Sequence, residues 1–290
     1  MSSTYKEGYI HVTGGDVWYK MEGEKGNAPL IVVHGGPGFP HDYLESLEDL
    51  QDEREVVFYD QLGCGKSDKS ADINLWSANR FVSELIEIIS FLSLKDYNIL
   101  GQSWGSALAV SFALTKPTGL KSIILADPYI SSEQWMKDAK RLKKTLPRKI
   151  QNVLKKHEDK GTTHSEEYLK ASEIYNNNFV TRLNPLPEEF LRSRLGMNYE
   201  IYKLMWGSDE CTITGTLKNF DLTTRLKEIN LPVLLLCGRY DEASPESLRY
   251  YRALLPNSQM KIFKNSAHLP FLTERKEFIS AAREFLKKVN

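Results

Sequence analysis

The chain has 290 residues, of which 41% are hydrophobic and 26% charged, and its 38 Lys and Arg balance its 38 Asp and Glu. These proportions are typical of a globular protein and exclude collagen-like, coiled-coil and disordered chains. Zero net charge provides no basic surface for nucleic acid or an anionic membrane. The expected partner is therefore a small molecule or a short peptide.

The first half of the chain alternates between strand and helix patterns. A hairpin is predicted around Gly14-Gly15, and buried strands follow at PLIVV, EVVFYD (55–60), YNILGQ (97–102) and SIILAD (122–127). Helical spacing of apolar residues predicts helices over residues 78–94 and 104–115. This alternation indicates βαβ units and a mostly parallel sheet flanked by helices, an α/β fold.

After Pro128 the pattern changes, because residues 131–225 contain charged helical segments and no convincing strand. Strand and helix patterns then alternate again, over residues 231–238, 245–255, 259–263 and 271–289. We therefore predict a core domain formed by residues 1–130 and 226–290, with a helical lid inserted at residues 131–225.

The cysteines Cys64, Cys211 and Cys237 have neither paired nor zinc-ligand spacing, so no disulfide and no metal site is predicted. The N-terminal residues lack the apolar segment of a signal peptide. The apolar runs are also far shorter than the about 20 residues that span a membrane. A cytoplasmic location is predicted.

Ser103 is the candidate nucleophile. It lies in Gly101-Gln102-Ser103-Trp104-Gly105, which fits the G-x-S-x-G nucleophile elbow and falls between a predicted strand and a predicted helix. A plain Gly/Ser turn is the alternative. Because a serine hydroxyl is a weak nucleophile at neutral pH, it needs a base and a carboxylate that orients the base.

Asp241 and His268 are the candidate partners, because each follows a predicted strand and the order Ser, Asp, His is that of α/β-hydrolases. A helix-capping Asp and a loop His are the alternatives. The glycine-rich loop His34-Gly35-Gly36-Pro37-Gly38 also follows a strand and can present backbone N–H groups to an oxyanion. We assign the oxyanion hole to the amides of Gly36 and Trp104.

Three segments resemble signatures of the proline iminopeptidase family, which comprises serine aminopeptidases with the α/β-hydrolase fold. They are HGGPG at 34–38, DQLGCGKS at 60–67 and GQSWGS at 101–106. The resemblance continues through ECTITGT at 210–216 and GRYDEASP at 238–245. One departure is Gln102, where bacterial members often have glycine.

The resemblance implies that Glu210 and Glu242 hold the free amino terminus of the substrate. An α-amino group has a pKa of about 8, and a charge-assisted hydrogen bond is roughly twice as strong as a neutral one. Solvated loop carboxylates are the alternative. Gly35 and Phe39 are also assigned to substrate binding. Further candidates for an apolar subsite, which are equally suited to the core, are Tyr129, Trp135, Met205 and Trp206.

The sequence thus predicts a serine aminopeptidase that releases an N-terminal proline or small apolar residue from short peptides through an acyl-enzyme, with no metal and no organic cofactor. An amino-acid amidase or aminoacyl-ester hydrolase is one alternative. A catalytically silent ligand-binding protein of the same fold is another. No oligomeric state is predicted.

Overall fold

The computed structural model describes residues 3–289; Met1, Ser2 and Asn290, which belong to the predicted core domain, lie outside the described residues. One eight-stranded sheet organises the chain. Its strands are β1 (Ser3–Val12), β2 (Gly15–Glu24), β3 (Leu30–Val33), β4 (Glu55–Tyr59), β5 (Tyr97–Gln102), β6 (Leu120–Ala126), β7 (Val233–Gly238) and β8 (Ser258–Phe263). Their order across the sheet is β1-β2-β4-β3-β5-β6-β7-β8.

The direction of the strands brings six chain segments to one edge. β1 and β2 form the antiparallel hairpin expected around Gly14-Gly15, and β2 pairs antiparallel with β4. Every later pair, from β4 through β3, β5, β6 and β7 to β8, is parallel. All residues of β3, β5 and β7 are buried, as expected for strands covered on both faces. The carboxyl ends of the parallel strands therefore meet at one edge of the sheet.

Helices cover both faces of the sheet. They are α1 (Ala78–Phe91), α2 (Trp104–Ala113), α3 (Ser132–Lys143), α4 (Arg148–Lys160), α5 (Glu166–Phe179), α6 (Glu188–Gly196), α7 (Tyr199–Met205), α8 (Pro245–Leu254), α9 (Pro270–Thr273) and α10 (Arg275–Val289). A 3-10 helix, His41–Leu50, precedes β4. Local chemistry sets the helix starts: Ser77 and Ser131 accept hydrogen bonds from the amides of Arg80 and Gln134 in the first turns of α1 and α3.

Two apolar cores lie on opposite faces of the sheet. One includes residues of α1, α2 and α8, such as Phe81, Ala107 and Leu248. The other includes residues of the 3-10 helix and α10, such as Leu47 and Phe285. The α/β fold class predicted from the sequence is confirmed.

Five helices, α3 to α7, lie between β6 and β7. Side chains of α3, α4 and α5, together with Cys211, form a third, smaller core. The 131–225 boundary of the lid stays a prediction. No helix within residues 3–289 is long and apolar enough to cross a membrane.

The last predicted helix, 271–289, is divided in the structure into α9 and α10. The interruption is at Glu274, whose carboxylate accepts hydrogen bonds from the Asn265 amide at 2.9 Å and the Ser266 hydroxyl at 2.6 Å. These bonds hold the chain after β8 against the start of α10. Their partners lie in the loop before α9, outside the helical segment, so helical periodicity does not predict the break.

Candidate active site

Ser103 lies in the sharp turn between β5 and α2. Its backbone has a positive φ of 52°, an uncommon conformation for a residue other than glycine. Its N–H donates to the Ala126 carbonyl at 2.9 Å, which fixes the turn to the end of β6. A Cβ on Gly105 would lie 2.0 Å from the Val33 carbonyl oxygen, so only glycine allows α2 to pack this closely on β3. The strand–turn–helix geometry that a nucleophile elbow requires is present at Ser103; its role as nucleophile stays a prediction.

Asp241 and His268 meet at the same edge of the sheet, where they follow β7 and β8. The Nδ1 of His268 lies 2.7 Å from Oδ1 of Asp241. Both side chains are almost fully buried. In the neutral ring, donation from Nδ1–H leaves Nε2 unprotonated, which is the tautomer that a general base requires.

Ser103 and His268 line one cavity of about 560 Å³, together with Gly36, Phe39 and Glu210. The volume lies in the range of pockets that bind small ligands. The cavity extends along α5 and α6. Four of the residues assigned from the sequence do not line this cavity: Gly35, Trp104, Asp241 and Glu242.

The loop after β3 packs against the nucleophile. A Cβ on Gly35 would lie 3.2 Å from Cβ of Ser103, which measures how closely the loop backbone approaches the serine. Gly36 has a φ of +109° and lines the cavity. Trp104 is the first residue of α2, where backbone N–H groups have no acceptor within the helix. The arrangement is compatible with an oxyanion hole at Gly36 and Trp104.

His34 supports this loop from below. The Gln61 amide donates to His34 Nε2 at 2.8 Å, so Nδ1 carries the proton and donates to the Gly35 carbonyl at 2.9 Å. Burial lowers the pKa of His34 to about 4, which keeps the ring neutral. The side chain of Gln61 accepts a hydrogen bond from the Trp104 indole at 3.1 Å. His34 is therefore structural, and it connects the loop to the elbow through Gln61.

Gln102 connects three parts of the site. The Tyr43 hydroxyl accepts a hydrogen bond from the Gly35 amide at 2.7 Å and donates to Gln102 Oε1 at 2.6 Å. Gln102 Nε2 donates to the His268 carbonyl at 3.3 Å. The residue that departs from the family signature thus links the loop, the elbow and the histidine segment.

The inserted helices are fastened directly beside the catalytic loops. The carbonyl of Phe179 accepts the Glu242 amide at 3.2 Å, and the carbonyl of Val180 accepts the His268 amide at 3.1 Å. Both acceptors belong to the end of α5, where carbonyl groups lack helical partners. The ring of Trp135, from α3, lies edge-on to the His268 ring with centroids 5.7 Å apart.

Glu210 is presented to the cavity by a tight turn that Asp209 stabilises. Oδ1 of Asp209 accepts the Cys211 amide at 2.7 Å and the Tyr168 hydroxyl at 3.1 Å. Burial raises the pKa of the Glu210 carboxyl, while the nearby Tyr202 hydroxyl and His268 ring oppose that increase. Asp209 is therefore an anchor, and Glu210 is the acid that faces the cavity next to His268.

Glu242 is buried, with 1% of its surface exposed, and neither of its oxygens has a hydrogen-bond partner among residues 3–289. Burial raises the pKa of this carboxyl well above its ordinary value, and the charges of Glu210 and Asp241 raise it further; the Tyr175 hydroxyl acts in the opposite direction. A buried acid without a donor is costly. The Tyr175 hydroxyl lies near this carboxyl without forming a hydrogen bond to it, so the ionised form of Glu242 is poorly stabilised within residues 3–289.

The residues considered for an apolar subsite divide into two groups. Phe39 lines the cavity and contacts Phe190, with ring centroids 5.5 Å apart. The others pack in the core beside the cavity, where Tyr129, Trp135 and Trp206 contact one another through their rings. Met205 belongs to the same core.

Sequence reasoning did not single out Asp127, Tyr43 or Gln61. Asp127 ends the strand segment SIILAD, so the strand-end rule that found Asp241 and His268 also applied to it. Tyr43 and Gln61 act through side-chain hydrogen bonds around the loop; Gln61 lies in the signature segment at 60–67, which could have pointed to it, whereas Tyr43 lies in no motif. Their positions depend on how distant segments pack.

Comparison with known proteins agrees with this geometry. A family described as "alpha/beta hydrolase fold" matches residues 28–275. A proline iminopeptidase of Heyndrickxia coagulans is 46% identical over 287 residues, which cover 98% of this chain and 100% of that protein. The chain belongs to the proline iminopeptidase family. The resemblance inferred from the sequence is therefore confirmed, and the protein is a serine hydrolase.

Two solved structures have the same fold throughout. The crystal structure of VinJ superposes with a TM-score of 0.93 at 32% identity, covering 98% of this chain and 99% of VinJ. The proline iminopeptidase of Mycobacterium smegmatis gives a TM-score of 0.90 at 31% identity, covering 98% of each chain.

We predict that Gly105→Ala destabilises the protein, because the new Cβ would lie 2.0 Å from the Val33 carbonyl oxygen. Overpacking typically costs about 1–3 kcal/mol, and the upper end of that range, expected for a contact with rigid backbone, lowers Tm by roughly 6–12 °C in a chain of this size. Gly8→Ala is the control, because its Cβ would lie 3.7 Å from Tyr19. Equal thermal unfolding of the two variants would contradict the close packing of α2 on β3.

Proposed function

We propose that this protein is a serine aminopeptidase that releases an N-terminal proline or another small apolar residue from short peptides. The observation that carries the proposal is that Glu210 lines the same cavity as Ser103 and His268. A carboxylate beside the reacting serine favours a substrate with a free ammonium over a simple ester or lipid. The names of the relatives agree with this substrate class.

Catalysis proceeds through an acyl-enzyme. Ser103 Oγ attacks the carbonyl carbon of the first residue, and His268 Nε2 accepts the hydroxyl proton. Asp241 holds the ring in the required tautomer. The amides of Gly36 and Trp104 stabilise the negative oxygen of the tetrahedral intermediate. The amine of the shortened peptide leaves with the proton from His268, and water then hydrolyses the ester.

The substrate's ammonium binds at Glu210 and Glu242. Because the oxygens of Glu242 have no partner among residues 3–289 and lie in the field of other acids, a cation lowers the free energy of the ionised pair. Ammonium binding therefore fixes the first residue with its carbonyl group near Ser103. The binding energy of the ammonium thus orients the substrate carbonyl group for attack by Ser103 Oγ.

The cavity accounts for the restriction to small substrates. Its volume of about 560 Å³ accommodates a short peptide and not a folded protein. Apolar side chains, including Phe39, Leu186 and Phe190, contribute to its wall and favour an apolar first residue. A cytoplasmic location stays an expectation from the sequence.

Ser103→Ala should preserve folding and abolish turnover. Loss of a triad serine lowers kcat by a factor on the order of 10⁶ in a comparable enzyme. The measurement is hydrolysis of a prolyl fluorogenic substrate, with thermal unfolding to verify the fold. Ser172→Ala is the matched control, since Ser172 also lines the cavity. More than a tenth of wild-type activity in Ser103→Ala would exclude Ser103 as the nucleophile.

Glu210→Gln and Glu242→Gln should impair substrates with a free amino group and spare p-nitrophenyl acetate, which has no ammonium. Loss of one partner of a buried charge pair costs about 2–5 kcal/mol, or roughly 30- to several-thousand-fold in kcat/KM. N-acetylated peptides should lose a comparable factor on the wild-type enzyme, because acetylation removes the same charge.

Glu173→Gln is the control for these variants, because Glu173 is an exposed glutamate on the cavity wall. Equal loss on amino substrates and on the ester would mean that the two glutamates support only the structure. Undiminished hydrolysis of N-acetylated peptides by the wild type would contradict the aminopeptidase assignment and favour a general esterase or amidase.

The raised pKa of Glu242 predicts a pH dependence that is specific to amino substrates. As pH falls through this raised pKa, the carboxyl gains a proton and loses its attraction for the ammonium, so KM should increase. The hydrolysis of p-nitrophenyl acetate should lack this limb. Glu242→Gln should remove it from the profile of the prolyl substrate. The same acid limb on both substrates would assign it to another group.

A further inference from the structure

One buried acid of the site has no function in the mechanism above. Asp127 directly follows β6, with a positive φ of 50° and a fully buried side chain. Its amide donates to the Leu236 carbonyl at 2.7 Å, which fixes it to β7, the strand that leads to Asp241. Neither carboxyl oxygen of Asp127 has a hydrogen-bond partner among residues 3–289. A backbone in an uncommon conformation thus holds an unpaired acid in the interior.

Asp127 lies beside the predicted triad. Carboxyl oxygens of Asp127 and Asp241 and a ring nitrogen of His268 lie within 4.8 Å of one another. Oδ1 of Asp241 has two donors, His268 Nδ1 at 2.7 Å and the Ala243 amide at 2.8 Å. Its Oδ2 is buried and has no partner in the described part of the chain. Three of the four oxygens of this acid pair therefore accept no hydrogen bond within residues 3–289, although the Gly238 amide and the Gln102 side chain lie near Asp127.

A single proton on the acid pair removes both the charge repulsion and part of the unsatisfied hydrogen bonding. Two ionised carboxylates at this separation in the interior repel each other and leave buried acceptors unsatisfied. A protonated carboxyl is also a donor and can bond to the neighbouring carboxylate. The proton belongs on Asp127, because Asp241 already accepts two hydrogen bonds that favour its charged form.

The groups around Asp127 agree with this assignment. Burial raises the pKa of Asp127 well above its ordinary value, and the charge of Asp241 raises it further; the Gly238 amide and the Gln102 side chain oppose this only in part. Two further titratable groups face Asp127, the Cys237 thiol on β7 and the Tyr43 phenol on the 3-10 helix. Burial raises the pKa of both, so both are neutral at pH 7.

We propose that Asp127 is kept protonated and donates a hydrogen bond to Oδ2 of Asp241, as a positioning residue of the triad. The bond fixes the Asp241 carboxylate so that Oδ1 faces His268. Because Asp127 is then neutral, the carboxylate of Asp241 is the one negative charge in this acid pair. The proposal uses the assignment of Asp241 and His268 made in the proposed function.

The first test is spectroscopic and independent of activity. The infrared difference spectrum between the Ser103→Ala protein and Ser103→Ala/Asp127→Asn at pH 7 should contain the C=O stretching band of one protonated carboxyl, and that band should shift in D₂O. Absence of the band would overturn the proposal. So would one equivalent of bound divalent cation in the wild type that Asp127→Asn abolishes, because a cation would then satisfy the oxygens.

The second test compares two variants on p-nitrophenyl acetate. Asp127→Asn keeps a donor toward Asp241 and should retain kcat/KM within about threefold, whereas Asp127→Ala leaves a buried acceptor unsatisfied and should lose about 10- to 100-fold. Thermal unfolding verifies both folds. If Asp127→Ala does not fold, Asp127→Asn alone tests the proposal. A loss of about 10- to 100-fold in kcat/KM in folded Asp127→Asn would overturn it.

The pH profile on the ester separates a neutral from an ionised Asp127. Asn has the charge of the protonated acid, so the rising limb of kcat/KM should move by less than about 0.3 pH unit in Asp127→Asn. Removal of a real negative charge would move it to lower pH by roughly one unit, because His268 would lose a group that favours its protonated form. Full ester hydrolysis by Ser103→Ala would refute the assigned nucleophile, while the infrared band would still report the proton on Asp127.

Discussion

The close contact between the start of α2 and the end of β3 is the constraint on which the site depends. Gly105 lies against the Val33 carbonyl with no room for a side chain. In the same region Ser103 adopts its positive φ, and the loop at Gly35 lies against that serine. Closely packed backbone therefore holds the candidate nucleophile and the candidate oxyanion donors in place.

The inserted helices complete the site through backbone groups as well. The end of α5 offers its free carbonyls to the amides of Glu242 and His268, two residues that follow different strands. A shift of α5 therefore acts directly on the histidine and on the acid beside Asp241. These hydrogen bonds hold the inserted helices in a fixed position relative to the strand ends. Glu210, which the insertion carries, therefore keeps its position relative to His268 and Glu242.

Local patterns in the sequence predicted most of the fold and the central residues. Short apolar runs gave the strands, and Ser103, Asp241 and His268 follow from a motif and from their places at strand ends. The break at Glu274 was missed because its hydrogen-bond partners precede the helix. Asp127 also stands at a strand end, but its proximity to Asp241 depends on the pairing of β6 with β7, which local sequence patterns do not show.

Under the proposed function, the acids of the site form one electrostatic system. Asp241 has donors, and Asp127 is neutral in our proposal. Glu242 lies in the field of both Asp241 and Glu210, and its oxygens accept no hydrogen bond within residues 3–289. Further negative charge in this interior is unfavourable until a cation enters. The substrate's ammonium supplies that cation. Burial makes the empty site electrostatically unfavourable, and an ammonium relieves this because it brings a positive charge. An acetylated peptide and an ester bring no positive charge, so the same burial produces selectivity for a free amino terminus.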